Sequence, residues 1–295
     1  MKNISYSWMV DYTTQKEWVE GIGKVLWLAF FFSEVGAGIY FISLFVGNEC
    51  GYVLGWITTI ILGGTLHLAY LGRPLKAWRA LLKPKTSELS RGMIVTVSYL
   101  VIGGFHLAPM VPLLAWIPWD TETIFLKLLM GMLSFLVILH GFLNMSAFPA
   151  IPFWNTTVLG LFSISSGLWI GSQVSIGTVL VFDNSQLLQS LEVWSRFSLF
   201  AYIVIGGAFL WNAGHGNATM RYSLRSLWYG KLSLMLSVGV LVIGISVPVF
   251  ITLLIFSGVS SGGLVLLRLI CAIAGDLIVR YSVLKAGVYT PLLPK

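Results

Sequence analysis

The chain has 295 residues, of which 57% are hydrophobic and only 10% charged, and its mean hydropathy is +0.88. Soluble domains of this size carry about 25% charged residues, so a soluble enzyme is excluded and no separate soluble domain fits. The net charge of +7 comes without a soluble platform of interleaved basic and aromatic residues, so no nucleic-acid partner is expected.

In chain order, the opening stretch MKNISYSWMVDYTTQKEWVEG holds no apolar core and no small-residue cleavage site, and no cleaved signal peptide is expected. Apolar stretches long enough to cross a bilayer, which takes about 20 residues, follow at about 25–46, 52–71, 92–111, 123–143, 156–180, 196–213, 232–256 and 263–284. The expected fold is therefore an all-α integral membrane protein, an eight-transmembrane-helix bundle forming one domain over 1–295. Two connections, second-to-third and sixth-to-seventh, are long and basic and lie four helices apart, which suggests two four-helix halves. Glycines within the spans, such as Gly36 and Gly38 or Gly206 and Gly207, let helices approach closely.

The connection HLAYLGRPLKAWRALLKPKTSELSRG holds Arg73, Lys76, Arg79, Lys83, Lys85 and Arg91. If it lies inside, so do both ends and the 144–155 and 214–231 loops, which brings 15 of the 18 lysines and arginines to one side; Lys2, Arg280 and Lys295 are in that count. Asp120, Glu122, Asp183 and Glu192 mark the other face. Cytoplasmic loops carry the excess of cations, so the expected topology is N-in and C-in.

Ionisable residues within spans are functional candidates, because a charge at the bilayer centre costs at least about 2.5 kcal/mol. Glu34 lies among small residues in FFSEVGAGIYF, suited to passing protons or bonding a quinone, or else to a neutral acid bonded to a backbone carbonyl. His67, His140, Asp276 and Arg280 fall in the same half of the membrane. Asp276 and Arg280, one turn apart, can equally neutralise each other as a structural pair. Four helices sending polar groups to one depth suit a quinone site, an apolar cleft edged by proton-exchanging groups. His106, Lys127, Arg196 and Arg268 lie toward the other face, where they line a proton route or reach out to the interface. His67 and His140 share a depth, but two haems are not expected. Cys50 and Cys271 stand alone, so any Fe–S centre belongs to another chain, and no P-loop, HExxH run or catalytic triad is present.

Four segments, in order, resemble the polysulfide reductase/NrfD family of membrane subunits: EVGAGIYF, YLGRPLKAWR with SELSRG, AFPAIPFWNTTVLGLFSISSGLWIG, and GDLIVRYSVLKAG. The likeness runs from about residue 20 to 290 and implies a haem-free, quinone-reactive anchor in a bacterial cytoplasmic membrane. It implies menaquinone or ubiquinone as the electron carrier. The implied partners are a ferredoxin-like Fe–S subunit and a molybdopterin catalytic subunit, docked on the basic LGRP-loop face. That face is also where the resemblance puts the quinone pocket, giving Glu34, His67, Arg73, His140, Asp276 and Arg280 as site candidates, with Glu34 and His140 exchanging protons. Some relatives of this family have polar Asn and His residues where this chain reads GKVLWLAFFF, and many have a Tyr where it has Leu139. A transporter, a purely structural anchor and a haem-carrying anchor are the rival readings.

Overall fold

The computed structural model describes residues 9–114, 116–182 and 185–293; Lys2, Asp183 and Lys295 lie outside the described residues. Among the described residues, eight helices are long and apolar enough to cross a membrane: span 1 (Gly23–Val46), span 2 (Glu49–Tyr70), span 3 (Glu88–Met110), span 4 (Ile124–Ser146), span 5 (Thr157–Val181), span 6 (Leu188–His215), span 7 (Met235–Phe256) and span 8 (Gly262–Ala286). Helix is the form that satisfies every backbone polar group within one segment, which a bilayer demands. Boundaries fall within four residues of those expected from hydropathy, except that span 6 begins at Leu188 and not near 196. Glu192 and Arg196 dilute the apolar signal there, and the helix tolerates Glu192 because Arg268 of span 8 neutralises it.

Local chemistry sets the helix ends. Asn48, Ser87 and Ser261 each accept a hydrogen bond from the backbone N–H three residues on, starting spans 2, 3 and 8. Gly47, at φ 72°, takes the left-handed conformation that turns span 1 into span 2. Two parts of the basic connections are structured: a 3₁₀ segment, Pro74–Leu82, and a surface helix, Ala218–Tyr229, capped by Asn217. The surface helix escapes a hydropathy reading because it is amphipathic. Spans 2 and 7 are wound partly as π-helix, over Thr58–Gly64 and Met235–Ser246.

The packing follows two four-helix halves. Contacts 1–2, 3–4 and 1–4 in the first half are matched by 5–6, 7–8 and 5–8 in the second, and 4–5 is matched by 8–1. Spans 1 and 5 form the centre, each 67% buried over its most apolar stretch where the other spans reach at most 39%. They meet backbone to backbone: a Cβ at Gly38 would fall on the Gly167 carbonyl oxygen, and one at Gly171 on the backbone of Gly38.

The described end segments lie on one face, as an even number of spans requires. Thr13 and Thr14 pair with Tyr289 and Val288 as a two-residue antiparallel ribbon. Gln15 Nε2 donates to the Leu284 carbonyl at 2.7 Å, Trp154 Nε1 to that of Val283 at 3.1 Å, and the Thr290 N–H to Ala150 at 2.9 Å. The LGRP connection shares this terminal face by alternation of the spans. The cation tally needs one correction: Arg280 is not on the face but inside the bundle. Lys285 bonds Glu20 at the surface and holds that carboxyl below its ordinary range.

Candidate functional site

Asp276 and Arg280 share a face of span 8 because they are separated by one helical turn. All three Arg280 nitrogens donate there. Nε donates to Asp276 Oδ2 at 2.6 Å, one terminal nitrogen to Glu34 Oε2 at 2.5 Å, and the other to Ser166 Oγ at 2.6 Å. Ser166 in turn donates to Asp276 Oδ1 at 2.5 Å. Spans 1, 5 and 8 thus meet at one ionic knot. Its acids are nearly sealed, with Glu34 3% and Asp276 0% exposed, whereas Arg280 retains 13%. Gly141 of span 4 makes room, since a Cβ there would fall on Glu34 Oε1. Two carboxyls face one guanidinium, so the knot can bind a proton without stranding a buried charge.

Against the knot lies a narrow cleft of about 40 Å³. Glu34, Ser166 and Arg280 edge it, and Trp27, Phe30, Met145, Phe162 and Val283 wall it. Flat apolar walls with a few convergent polar groups suit a ring bearing polar oxygens. Each terminal nitrogen of Arg280 carries a second N–H that can donate to such oxygens, and the Glu34 carboxyl can exchange protons.

The structure brings together Glu34, Asp276 and Arg280 and leaves the other three candidates outside the cleft. His140 packs against Gly92 of span 3, where a Cβ would strike its ring, and accepts from Asn144 Nδ2 at 3.0 Å. One residue is about 100° of helix rotation, and Gly141 holds the position facing Glu34. His67 bonds the Gly63 carbonyl through Nδ1 at 2.9 Å and meets the ring of Phe30 edge-on at 5.3 Å. Arg73 is exposed at the start of the 3₁₀ segment.

In the opposite half of the membrane, Arg268 is fully buried, with nitrogens at 2.6 and 3.0 Å from the two Glu192 oxygens. It ties span 8 to span 6 and does not reach out to the interface. His106, also fully buried, sits 2.5 Å from Tyr40 Oη and 2.8 Å from the Thr121 carbonyl. Lys127 pairs with Glu122 at 2.7 Å, and Arg196 stacks over Phe256 at 5.3 Å. Sequence reasoning passed over Ser166 and the aromatic walls. The signal for Ser166 was the small-residue run SISSG, which reads as packing until Asp276 is known to face it.

Fold and site together define a class: an eight-span membrane bundle with a buried acid–arginine knot beside an aromatic cleft. The sequence is 25% identical over 255 residues to the C subunit of polysulfide reductase from Wolinella succinogenes, an alignment spanning 78% of each protein. No protein-family model and no solved structure matches the sequence.

Proposed function

We propose that the protein is the membrane anchor subunit of a multi-subunit respiratory oxidoreductase and that its aromatic cleft takes a quinone or quinol. The observation that carries this is the Glu34–Arg280–Ser166 edge, a proton-exchanging carboxyl beside a fixed cation, opening onto ring-lined space inside the membrane. The likeness to a polysulfide reductase subunit supports the assignment to a reductase complex.

In this reading Trp27, Phe30 and Phe162 part to admit menaquinone or ubiquinone between them, with an oxygen against Arg280. Oxidation of the quinol releases two protons and two electrons. Glu34, beside Arg280 at the cleft edge, takes up one proton and hands it on before the second leaves, and the electrons pass to an Fe–S centre in a ferredoxin-like partner. That partner, with a molybdopterin subunit beyond it, docks on the terminal face, where Lys76, Lys83 and Lys85 are exposed.

The test is titration of the purified complex with a fluorescent quinol-site inhibitor. Wild type quenches saturably, and Glu34→Gln weakens binding about tenfold or more, the scale of one charge-assisted hydrogen bond. His140→Phe leaves binding unchanged. Unaltered quenching in Glu34→Gln would remove the site from span 1.

A further inference from the structure

The two halves of the bundle differ between their second and third spans. In the first half, spans 2 and 3 touch through Trp56. Its Nε1 donates to the Leu100 carbonyl at 3.0 Å, and its ring covers Gly103, where a Cβ would meet Trp56 Cδ1 at 2.6 Å. In the second half the corresponding pair, spans 6 and 7, makes little direct contact. The space that Trp56 closes in one half is open in the other, as a chamber of about 260 Å³.

The chamber walls are almost wholly hydrocarbon. Leu210 and Gly206 come from span 6 and Leu236 and Val240 from span 7, while Tyr202 and Ser282 contribute the polar atoms. Span 7 is π-wound along this wall, a form that recurs at functional sites. Phe162 and Val283 line both this chamber and the cleft beside the ionic knot. The two spaces therefore adjoin at those side chains. The Phe162 ring is stacked on that of Tyr202, centroids 5.0 Å apart.

We propose that the chamber between spans 6, 7 and 8 holds the polyprenyl tail of the quinone, which leaves the cleft past Phe162 and Val283. The inference rests on the quinone reading of the cleft. A headgroup seated on Arg280 needs an apolar exit, and this chamber shares two wall residues with its cleft. Membrane lipid is as apolar as the tail, so the chamber gains little from the hydrophobic effect. Its effect comes through packing, which orients the headgroup toward Glu34 and Arg280. A phospholipid acyl group has the same chemistry and is the occupant the experiment must separate.

The experiment measures binding of two ligands to the complex in lipid nanodiscs: a quinol analogue with a methyl group in place of the tail, and the same headgroup carrying several isoprene units. Val240→Phe and Leu210→Trp fill the chamber from opposite walls. Each weakens the tailed ligand by about fivefold or more, the scale of an overpacked side chain. Each leaves the tailless ligand within about twofold of wild type, which also shows that the variants fold. Unchanged affinity for the tailed ligand in both variants would assign the chamber to lipid acyl groups and overturn the proposal. Equal loss of both ligands would overturn it too, by placing the effect in the cleft. If wild type binds the tailless analogue but gains nothing from the tail, the quinone site stands and the tail chamber falls. If wild type binds neither, both fall.

Discussion

Replacing Arg280 by glutamine removes the only cation of a knot that holds two buried carboxyls. Glu34 and Asp276 lose donors at 2.5 and 2.6 Å and have little water to replace them. Breaking a buried ion pair from one side costs about 3–5 kcal/mol, and the 13% exposure of Arg280 points to the lower end of that range. The loss comes mainly from the stranded carboxyls, so a second substitution, Glu34→Gln, restores part of it. The double variant is expected to be about 1–3 kcal/mol more stable than the sum of the single losses predicts. The assay is a double-mutant cycle from unfolding midpoints in mixed detergent micelles, followed by helical circular dichroism. Strict additivity, within about 0.5 kcal/mol, would refute the coupling and reduce the knot to independent polar contacts.

Three further outcomes follow from the same contacts. Gly38→Ala drives a methyl group onto the Gly167 carbonyl, so it destabilises the bundle by about 1–3 kcal/mol and weakens inhibitor binding as span 5 carries Ser166 away; Gly214→Ala, whose methyl group makes only ordinary contact with Leu224, does neither. Arg268→Leu strands Glu192 and costs about 3–5 kcal/mol, whereas adding Glu192→Leu recovers most of that loss. Inhibitor quenching stays at the wild-type level in both, because Arg268 lies about 18 Å along span 8 from Arg280. Glu20 has its pKa lowered by the hydrogen bond from Lys285, so its contribution is complete above the ordinary carboxylate range and is lost as pH falls through its depressed folded value. Lys285→Met should remove the Lys285-dependent part of the acid-side drop in thermal midpoint, and identical acid limbs in the two proteins would rule the pair out as a contributor.

Much of the fold is legible in the sequence because a bilayer makes the decision local. A run of about 20 apolar residues must be helix to satisfy its own backbone, and eight such runs return both ends to one face. Depth is also legible: counting along each span places Glu34, His140, Asp276 and Arg280 in one half of the membrane. Rotation about the helix axis is not. His140 and Gly141 are neighbours in sequence at nearly one depth, yet the glycine meets Glu34 and the histidine meets Gly92.

Arg268 and Arg280 lie in one apolar helix and read alike as intramembrane cations. Only the packed bundle gives one to Glu192 of span 6 and the other to Glu34 of span 1. Hydropathy fixes how far a residue lies along its helix, whereas the direction its side chain points is set by which glycines let which backbones touch. Here those are Gly38, Gly167 and Gly171, which bring spans 1 and 5 together at the centre. The chamber beside span 7 was beyond sequence reasoning for a related reason. It is a contact that one half of the bundle makes and the other does not, and a missing contact has no residue of its own to mark it.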